Sequence, residues 1–145
     1  MMEEAQMEFS GGCYCGAIRY RAAGEPLRKA MCFCRECQHI AGGGANVVLM
    51  MPEAAFAYTA GAPSSFARPD LDAPVRREFC GTCGTHLVAR SPRAPGVVLI
   101  KVGSLDDPKL GGLPQVAAFM GEAQDFHAVP DGIACFDGAP MRGAR

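Results

Sequence analysis

The sequence lacks a long hydrophobic run and an excess of charge of either sign. Its longest apolar runs, residues 47–51 and 97–100, are far shorter than the ~20 residues of a membrane-spanning helix. Lys and Arg number 14 and Asp and Glu 15, for a net charge of −1. No strongly basic face is indicated, so general attraction to nucleic acid or to an anionic membrane is not expected. We predict a soluble protein.

A secretory signal is also missing from the beginning of the sequence. The chain starts Met1-Met2-Glu3-Glu4, with neither the basic nor the apolar segment that such a signal needs. We therefore expect a cytoplasmic location. In that reducing compartment disulfides are rare, and clustered thiols more often bind metal.

Turn-forming residues are abundant, since 18 glycines and 11 prolines are spread along the 145 residues. This is typical of short strands joined by turns, and the length favours one domain. No segment has the length and periodicity of a long helix, although one or two helical turns are expected at residues 35–41. We predict a mainly β fold with strands at residues 17–21, 47–51, 56–59, 75–79, 86–90, 97–102 and 115–120.

The predicted domain covers residues 10–137. Residues 1–9 are predicted to form a flexible amino-terminal arm that leads into a strand, and residues 138–145 a mobile tail. Gly11 and Gly12 predict a turn. Residues 61–74 contain three prolines and predict a long loop of the kind that often lies over a site.

Seven of the eight cysteines fall into three tight groups. Thiolates one to three residues apart in a turn can converge on one ion at ~2.3 Å, and zinc prefers four ligands. The count favours four thiolates in a closed structural site and three in a site with an open fourth position, as in catalytic zinc sites. We call these the outer cluster and the middle cluster: Cys13, Cys15, Cys80 and Cys83, and Cys32, Cys34 and Cys37.

Spacing alone leaves alternatives open. Cys32 or Cys34 could exchange places with Cys13 or Cys15. Cys135, His39 or His127 could supply a fourth ligand to the middle cluster, although Cys135 lies in an apolar stretch and is predicted to be buried.

The pair Cys80 and Cys83 could also be a thioredoxin-like redox pair. Such a pair needs a helix after it, whereas residues 86–90 read as a strand, so metal binding is favoured. His86 is predicted to be structural. Basic residues close to the cysteines could balance thiolate charge or bind carboxylates, although solvated strand residues are their default role: Arg28, Lys29, Arg35, Arg76 and Arg77.

The three cysteine motifs together resemble a known family. Cys13-x-Cys15-Gly16, then Cys32-x-Cys34-x-x-Cys37-Gln38, then Phe79-Cys80-x-x-Cys83-Gly84 are similar to the glutathione-dependent formaldehyde-activating enzymes, whose wider family includes centromere protein V. Many relatives carry His where this chain has Phe33, and Trp near the carboxyl end where it has Phe126.

The resemblance implies a β-tent zinc fold of short antiparallel strands with two zinc ions per chain. The outer cluster would hold a structural zinc, and Cys32, Cys34 and Cys37 an exchangeable zinc that meets the glutathione thiol. The implied function is that of a carbon–sulfur lyase that condenses glutathione, or a similar thiol, with formaldehyde or another small aldehyde. A zinc-stabilised module without catalysis, which carries glutathione or binds a protein, is the alternative.

Overall fold

A computed structural model describes residues 7–140. Of the predicted arm and tail, residues 1–6 and 141–145 lie outside the described residues. The described part contains one helix, α1, Arg35–Ile40, and eleven strands: β1 Glu8–Gly12, β2 Arg19–Ala23, β3 Arg28–Cys32, β4 Asn46–Pro52, β5 Phe56–Ala60, β6 Ser64–Phe66, β7 Arg76–Phe79, β8 His86–Arg90, β9 Val97–Lys101, β10 Val116–Ala118 and β11 Ala134–Cys135. Single 3-10 turns occur at Glu53–Ala55, Val102–Ser104 and Met120–Glu122.

The strands form two sheets. A small antiparallel sheet has the order β1-β2-β5, and a large one has the order β11-β10-β3-β4-β9-β8-β7-β6. The predicted mainly β single domain is confirmed. The prediction of antiparallel strands needs one correction, because β10 pairs in parallel with both β3 and β11.

The main hydrophobic core lies where β2 of the small sheet packs against one face of the large sheet. Tyr20 from β2, Leu49 from β4 and Ile100 from β9 are completely buried there. Leu49 and Ile100 are opposite one another in the register of β4 and β9. Burial of aliphatic and aromatic area of this kind is the main stabilising contribution in a domain of this size.

The opposite face of the large sheet explains why residues 47–51 are continuously apolar. Side chains alternate between the two faces of a strand, so Leu49 and Met51 enter the core. Val48 and Met50 point to the other face, where they line a cavity. Arg28 and Cys32 of β3 lie on this face too, and Cys32 is opposite Asn46 in the register of β3 and β4. The sheet thus separates a sealed core from an open cavity.

Three local predictions were wrong. Gly11 and Gly12 lie within β1 and not in a turn. The predicted loop at residues 61–74 contains the short strand β6, which pairs with β7. Strand β3 was missed, because its Arg28 and Lys29 hide the apolar pattern, and its identity as a strand depends on its neighbours β4 and β10.

Within residues 7–140, no helix is long and apolar enough to cross a membrane.

Candidate metal centres

The outer cluster brings together cysteines that are far apart in sequence. All of its Sγ atoms lie within 4.8 Å of one another. The Sγ of Cys15 is 3.6 Å from that of Cys13 and 3.8 Å from that of Cys80. A tetrahedron with zinc–sulfur bonds of ~2.3 Å has edges of about 3.8 Å. The two distances given match this edge length, and the donor set is therefore compatible with a zinc ion.

Two similar turns form the outer cluster. In the first, the N–H of Cys13 donates to the carbonyl of Ile18, and Gly16 has φ +82°. In the second, the N–H of Cys80 donates to the carbonyl of Thr85, and Gly84 has φ +81°. Glycine adopts this left-handed conformation without strain, so each turn can fold back around its sulfurs.

Hydrogen-bond donors surround the outer sulfurs. The N–H of Ile18 lies 3.2 Å from the Sγ of Cys13, and the N–H groups of Thr82 and Cys83 each lie 3.4 Å from the Sγ of Cys80. The Thr85 hydroxyl, 3.2 Å from the Sγ of Cys83, lowers the pKa of that thiol to about 5. Hydrogen bonds to sulfur favour the thiolate, which is the form that binds metal.

The middle cluster is formed locally. Cys32 ends β3, Cys34 caps the amino end of α1, and Cys37 lies in its first turn. Their three Sγ atoms lie within 4.8 Å of one another. The N–H of Cys37 donates to the Sγ of Cys34 at 3.3 Å. A segment of six residues, 32–37, therefore brings three sulfurs together where the chain reverses between β3 and α1.

Negative charge in the middle cluster is concentrated on Cys37. Hydrogen bonds from the thiols of Cys32 and Cys34, with a third from the Asn46 amide, lower the pKa of Cys37 to about 3. The same coupling raises the pKa of Cys32, because its proton is shared with its two neighbours. Without a metal ion the cluster thus favours one thiolate, on Cys37, because the pKa values of both Cys32 and Cys34 are raised by their thiol neighbours and by burial.

None of the three candidates for a fourth ligand joins the middle cluster in the described part of the chain. Cys135 is exposed and its thiol faces the carbonyl of Ile133, so the prediction that it is buried was wrong. The Nδ1 of His39 faces the carbonyl of Arg35 at 2.8 Å. Both ring nitrogens of His127 are engaged by backbone groups. Within residues 7–140 the group of potential ligands there consists of three cysteines.

A cavity of about 700 Å³ opens beside the middle cluster, and all three of its cysteines line the wall. This volume is within the usual range for small-molecule sites. Its floor is the outer face of the large sheet, with Val48, Met50 and Leu99. The cavity therefore combines an apolar surface with thiols at one end.

Charged side chains on the cavity wall are mainly cationic. Two glutamates, Glu36 and Glu122, also line the cavity. The Nη2 of Arg77 lies 3.6 Å from the Oε2 of Glu36. The Oε1 of Glu122 accepts from the backbone N–H of Arg35 at 2.9 Å. Among the described residues, the guanidinium groups of Arg28, Arg35 and Arg93 have no acidic partner within 4.0 Å, but that of Arg35 donates to the Oε1 of Gln38. The guanidinium groups of Arg28 and Arg93 are therefore free to bind an anion. The four arginines of the wall are Arg28, Arg35, Arg77 and Arg93.

Several other residues named from the sequence lie elsewhere. Cys80 and Cys83 are followed by strand β8 and not by a helix, which removes the basis for a thioredoxin-like pair. His86 lies beside Lys101 in a separate cavity of about 310 Å³. Phe33 is buried in a second core cluster with Met31 and Ala117, and it does not line the large cavity.

Sequence reasoning missed two polar residues at the middle cluster. Asn46 donates its amide to the Sγ of Cys37 at 3.4 Å, and Lys101 donates to the Oδ1 of Asn46 at 2.9 Å. A lysine at the end of the otherwise apolar strand β9 was the available signal. A buried charge in such a strand needs a partner.

Comparisons with known proteins agree with this geometry. The family model of the glutathione-dependent formaldehyde-activating enzyme matches residues 8–122. A protein of Halomonas elongata is 32% identical over 63% of this chain, and one of Emericella nidulans is 31% identical over 61% of it. Each is provisionally named a glutathione-dependent formaldehyde-activating enzyme. The matched part spans 62% and 47% of the length of these relatives.

A solved structure supports the fold alone. The crystal structure of a Rhodobacter sphaeroides protein superimposes with a TM-score of 0.56 at 18% identity, covering 67% of this chain and 87% of that protein. The family match, by contrast, includes both cysteine clusters, and it covers most of the described domain. The chain belongs to the glutathione-dependent formaldehyde-activating enzyme family.

Proposed function

We propose that the chain is a carbon–sulfur lyase that reversibly joins glutathione, or a similar anionic thiol, to formaldehyde or another small aldehyde. The observation that carries this proposal is the middle cluster: three convergent thiols on the wall of a cavity of about 700 Å³. The family of the chain supports the choice of glutathione and formaldehyde as substrates.

Zinc is the proposed metal at both clusters. A set of four cysteines is typical of structural zinc, and three protein ligands with an open fourth position are typical of catalytic zinc. The outer cluster would hold a structural ion, and Cys32, Cys34 and Cys37 would hold the second. When bound there, zinc would supply the positive charge that keeps an incoming thiol in its thiolate form.

The chain's own residues are proposed to orient the thiol substrate. Arg28 lies four residues before Cys32 on the same face of β3, about 13 Å away at ~3.3 Å per residue. The guanidinium groups of Arg28 and Arg93 would bind the carboxylates of glutathione, and such pairs are often bidentate. The apolar floor between them and the cysteines would cover the middle of the substrate.

The proposed reaction forms one carbon–sulfur bond and transfers the thiol proton to the aldehyde oxygen. The sulfur of glutathione attacks the carbonyl carbon of formaldehyde, the C=O π electrons move to oxygen, and the thiol proton ends on that oxygen as a hydroxyl group. The product is S-(hydroxymethyl)glutathione, and the reverse reaction breaks the same carbon–sulfur bond. Holding the two reactants in one cavity would contribute to the rate through proximity.

The reaction also requires reduced cysteines, and all eight are unbridged in the structure. We propose a cytoplasmic location, because clustered thiols stay reduced there and can bind metal.

Metal analysis and NMR exchange together test the proposal. Wild type, Cys37→Ser and the control Cys135→Ser are compared, because Cys135 is exposed and belongs to neither cluster. We expect two zinc ions per chain and faster exchange between glutathione and ¹³C-formaldehyde for wild type and Cys135→Ser. Cys37→Ser should retain one zinc and show only the uncatalysed exchange rate.

Two results would contradict the proposal. A wild-type chain with a single zinc would exclude a second metal centre. Two zinc ions and glutathione binding without faster exchange would instead identify a non-catalytic glutathione carrier.

A further inference from the structure

Lys101 is a buried lysine next to the middle cluster. It ends β9 and is opposite Val48 in the register of β4 and β9, on the face of the sheet that forms the floor of the large cavity. Only 7% of its surface is exposed. Its ammonium group donates to the Oδ1 of Asn46 at 2.9 Å.

The ammonium group of Lys101 has no carboxylate partner within 4.0 Å among residues 7–140. A buried ammonium without a counter-ion is costly. Burial, and secondly the charge of Arg77, lower the pKa of Lys101 to about 8, and the middle-cluster thiolates act in the opposite direction. Arg77 itself pairs with Glu36. The nearby groups that can balance the charge of Lys101 are therefore the sulfurs.

Asn46 lies between Lys101 and the middle cluster and forms a hydrogen bond to each. An ammonium group can only donate hydrogen bonds, so the amide oxygen of Asn46 must face Lys101. The amide N–H₂ must then face the other way, where it donates to the Sγ of Cys37 at 3.4 Å. Asn46 is 9% exposed and Cys37 is 6% exposed, so water screens the arrangement less than it screens charges at the surface.

We propose that Lys101 and Asn46 are positioning residues that act as the counter-charge of the middle cluster. Lys101 fixes the amide of Asn46, whose N–H stabilises negative charge on Cys37. Three thiolates and a divalent ion carry a net −1, and an anionic thiol ligand makes this −2. The pair would therefore strengthen both metal binding at the middle cluster and the binding of a fourth, anionic thiol. This inference rests on the second metal of the proposed function.

Lys29 provides a matched control. It is also a buried lysine, 5% exposed, but its ammonium donates to the backbone carbonyls of Pro108 and Leu110 at 3.0 and 2.9 Å. Loss of either lysine should destabilise the fold. Only loss of Lys101 should change the chemistry of the middle cluster.

The experiment measures cobalt(II) affinity at each cluster by competition with a chelator, using thiolate-to-cobalt absorption as the readout. Cys37→Ser identifies which spectral component belongs to the middle cluster. We expect Lys101→Met to weaken cobalt binding at the middle cluster by about 10- to 100-fold and to leave the outer cluster unchanged. Lys29→Met should leave the ratio of the two affinities at its wild-type value.

Asn46→Ala tests whether the two residues act as a unit. It should weaken the middle cluster like Lys101→Met, and the double variant should lose no more than either single variant. Addition of glutathione to the cobalt-loaded chain should shift the middle-cluster spectrum at lower concentration in wild type than in Lys101→Met.

Three outcomes would overturn the inference. The first is an unchanged middle-cluster affinity in Lys101→Met, and the second is equal weakening of both clusters, which would indicate a purely structural role. A wild-type chain that takes up one cobalt only would remove the second metal of the proposed function, and this inference with it.

Discussion

The two cysteine clusters differ in how much of the fold they connect. The outer cluster joins Cys15 to Cys80, 65 residues apart, and so links the small sheet to the β7–β8 hairpin. The middle cluster lies within residues 32–37 and connects only the end of β3 to the start of α1. A cross-link that closes a long loop stabilises a fold more than one that closes a short loop. We therefore propose that the outer cluster stabilises the fold and that the middle cluster can change its ligands without unfolding the domain.

The two clusters also differ in the hydrogen-bond donors that surround their sulfurs. Backbone N–H groups and the Thr85 hydroxyl surround the outer sulfurs, and Cys13 and Cys80 are buried. In the middle cluster the sulfur of Cys34 accepts from a backbone N–H, whereas that of Cys37 accepts from a side-chain amide backed by an ammonium group, and all three cysteines line a cavity. Backbone donors are fixed by the fold, whereas the side-chain pair supplies charge at a place that a substrate can reach.

The largest expected effect is the loss of an outer cysteine. Cys80→Ser should leave the chain largely unfolded at 25 °C, because structural zinc contributes about 10–16 kcal/mol in small zinc domains and whole domains are stable by only about 5–15 kcal/mol. Circular dichroism during heating measures this, with Cys135→Ser as the control. A cooperative transition within a few degrees of wild type would contradict the stabilising role of the outer cluster.

The order of metal loss comes next. With rising chelator concentration, we expect one equivalent of zinc to leave while the β-sheet circular dichroism signal is unchanged, and the second to leave together with that signal. The reason is that the middle cluster is local and beside a cavity, whereas the outer cluster holds distant segments together. Metal release and circular dichroism are followed in the same samples. Simultaneous loss of both ions would remove the proposed difference between the clusters.

Substrate recognition should depend on the arginines at the far end of the cavity. Arg28→Gln is expected to raise the KM for glutathione about tenfold or more, since a hydrogen bond to a charged group contributes about 1.5–3 kcal/mol. The rate with 2-mercaptoethanol, a neutral thiol, should not change. Arg21→Gln is the control, because Arg21 is exposed on the small sheet, 3.8 Å from Glu8. An equal effect on both thiols would contradict carboxylate binding by Arg28.

Sequence spacing and the count of seven divided the sulfurs into four and three, but they left open an exchange of Cys32 or Cys34 with Cys13 or Cys15. The distances between sulfurs in the folded chain decide the grouping. Strands β4, β8 and β9 were predictable, since each has a short apolar run. Strand β3 and the short strand β6 were not, because hydrogen bonds to distant strands define them. The contact between Lys101 and Asn46 joins residues 55 positions apart, and it exists only because β4 and β9 are neighbours. The exposure of Cys135 was mispredicted because its apolar neighbours suggested burial, although β11 lies at the edge of the large sheet.

The smallest expected effect concerns an ion pair on the outer-cluster side. Arg19 on β2 pairs with Asp106, which also accepts from the Ser10 hydroxyl at 2.6 Å. Arg19 directly follows Ile18 in sequence, and the N–H of Ile18 donates to the Sγ of Cys13. These contacts lower the pKa of Asp106 below its ordinary 3.8. A carboxyl with a lowered pKa stabilises the fold above its unfolded-state pKa, and this contribution is lost as the pH falls through the folded-state value.

Asp106→Asn should therefore lower the Tm by only about 1–2 °C, because exposed ion pairs contribute about 0.2–1 kcal/mol. The difference in Tm between wild type and variant should stay constant from about pH 8 to about pH 5, since Asp106 is ionised throughout that range. Calorimetry at several pH values measures it, and chelator titration of the variant should leave the middle cluster unaffected. A difference that shrinks between pH 8 and pH 5 would mean that another group, and not Asp106, supplies the stabilisation. Because the pair lies beside Cys13 and not beside Cys37, the same variant also tests whether stability on the outer side can be changed independently of the chemistry of the middle cluster.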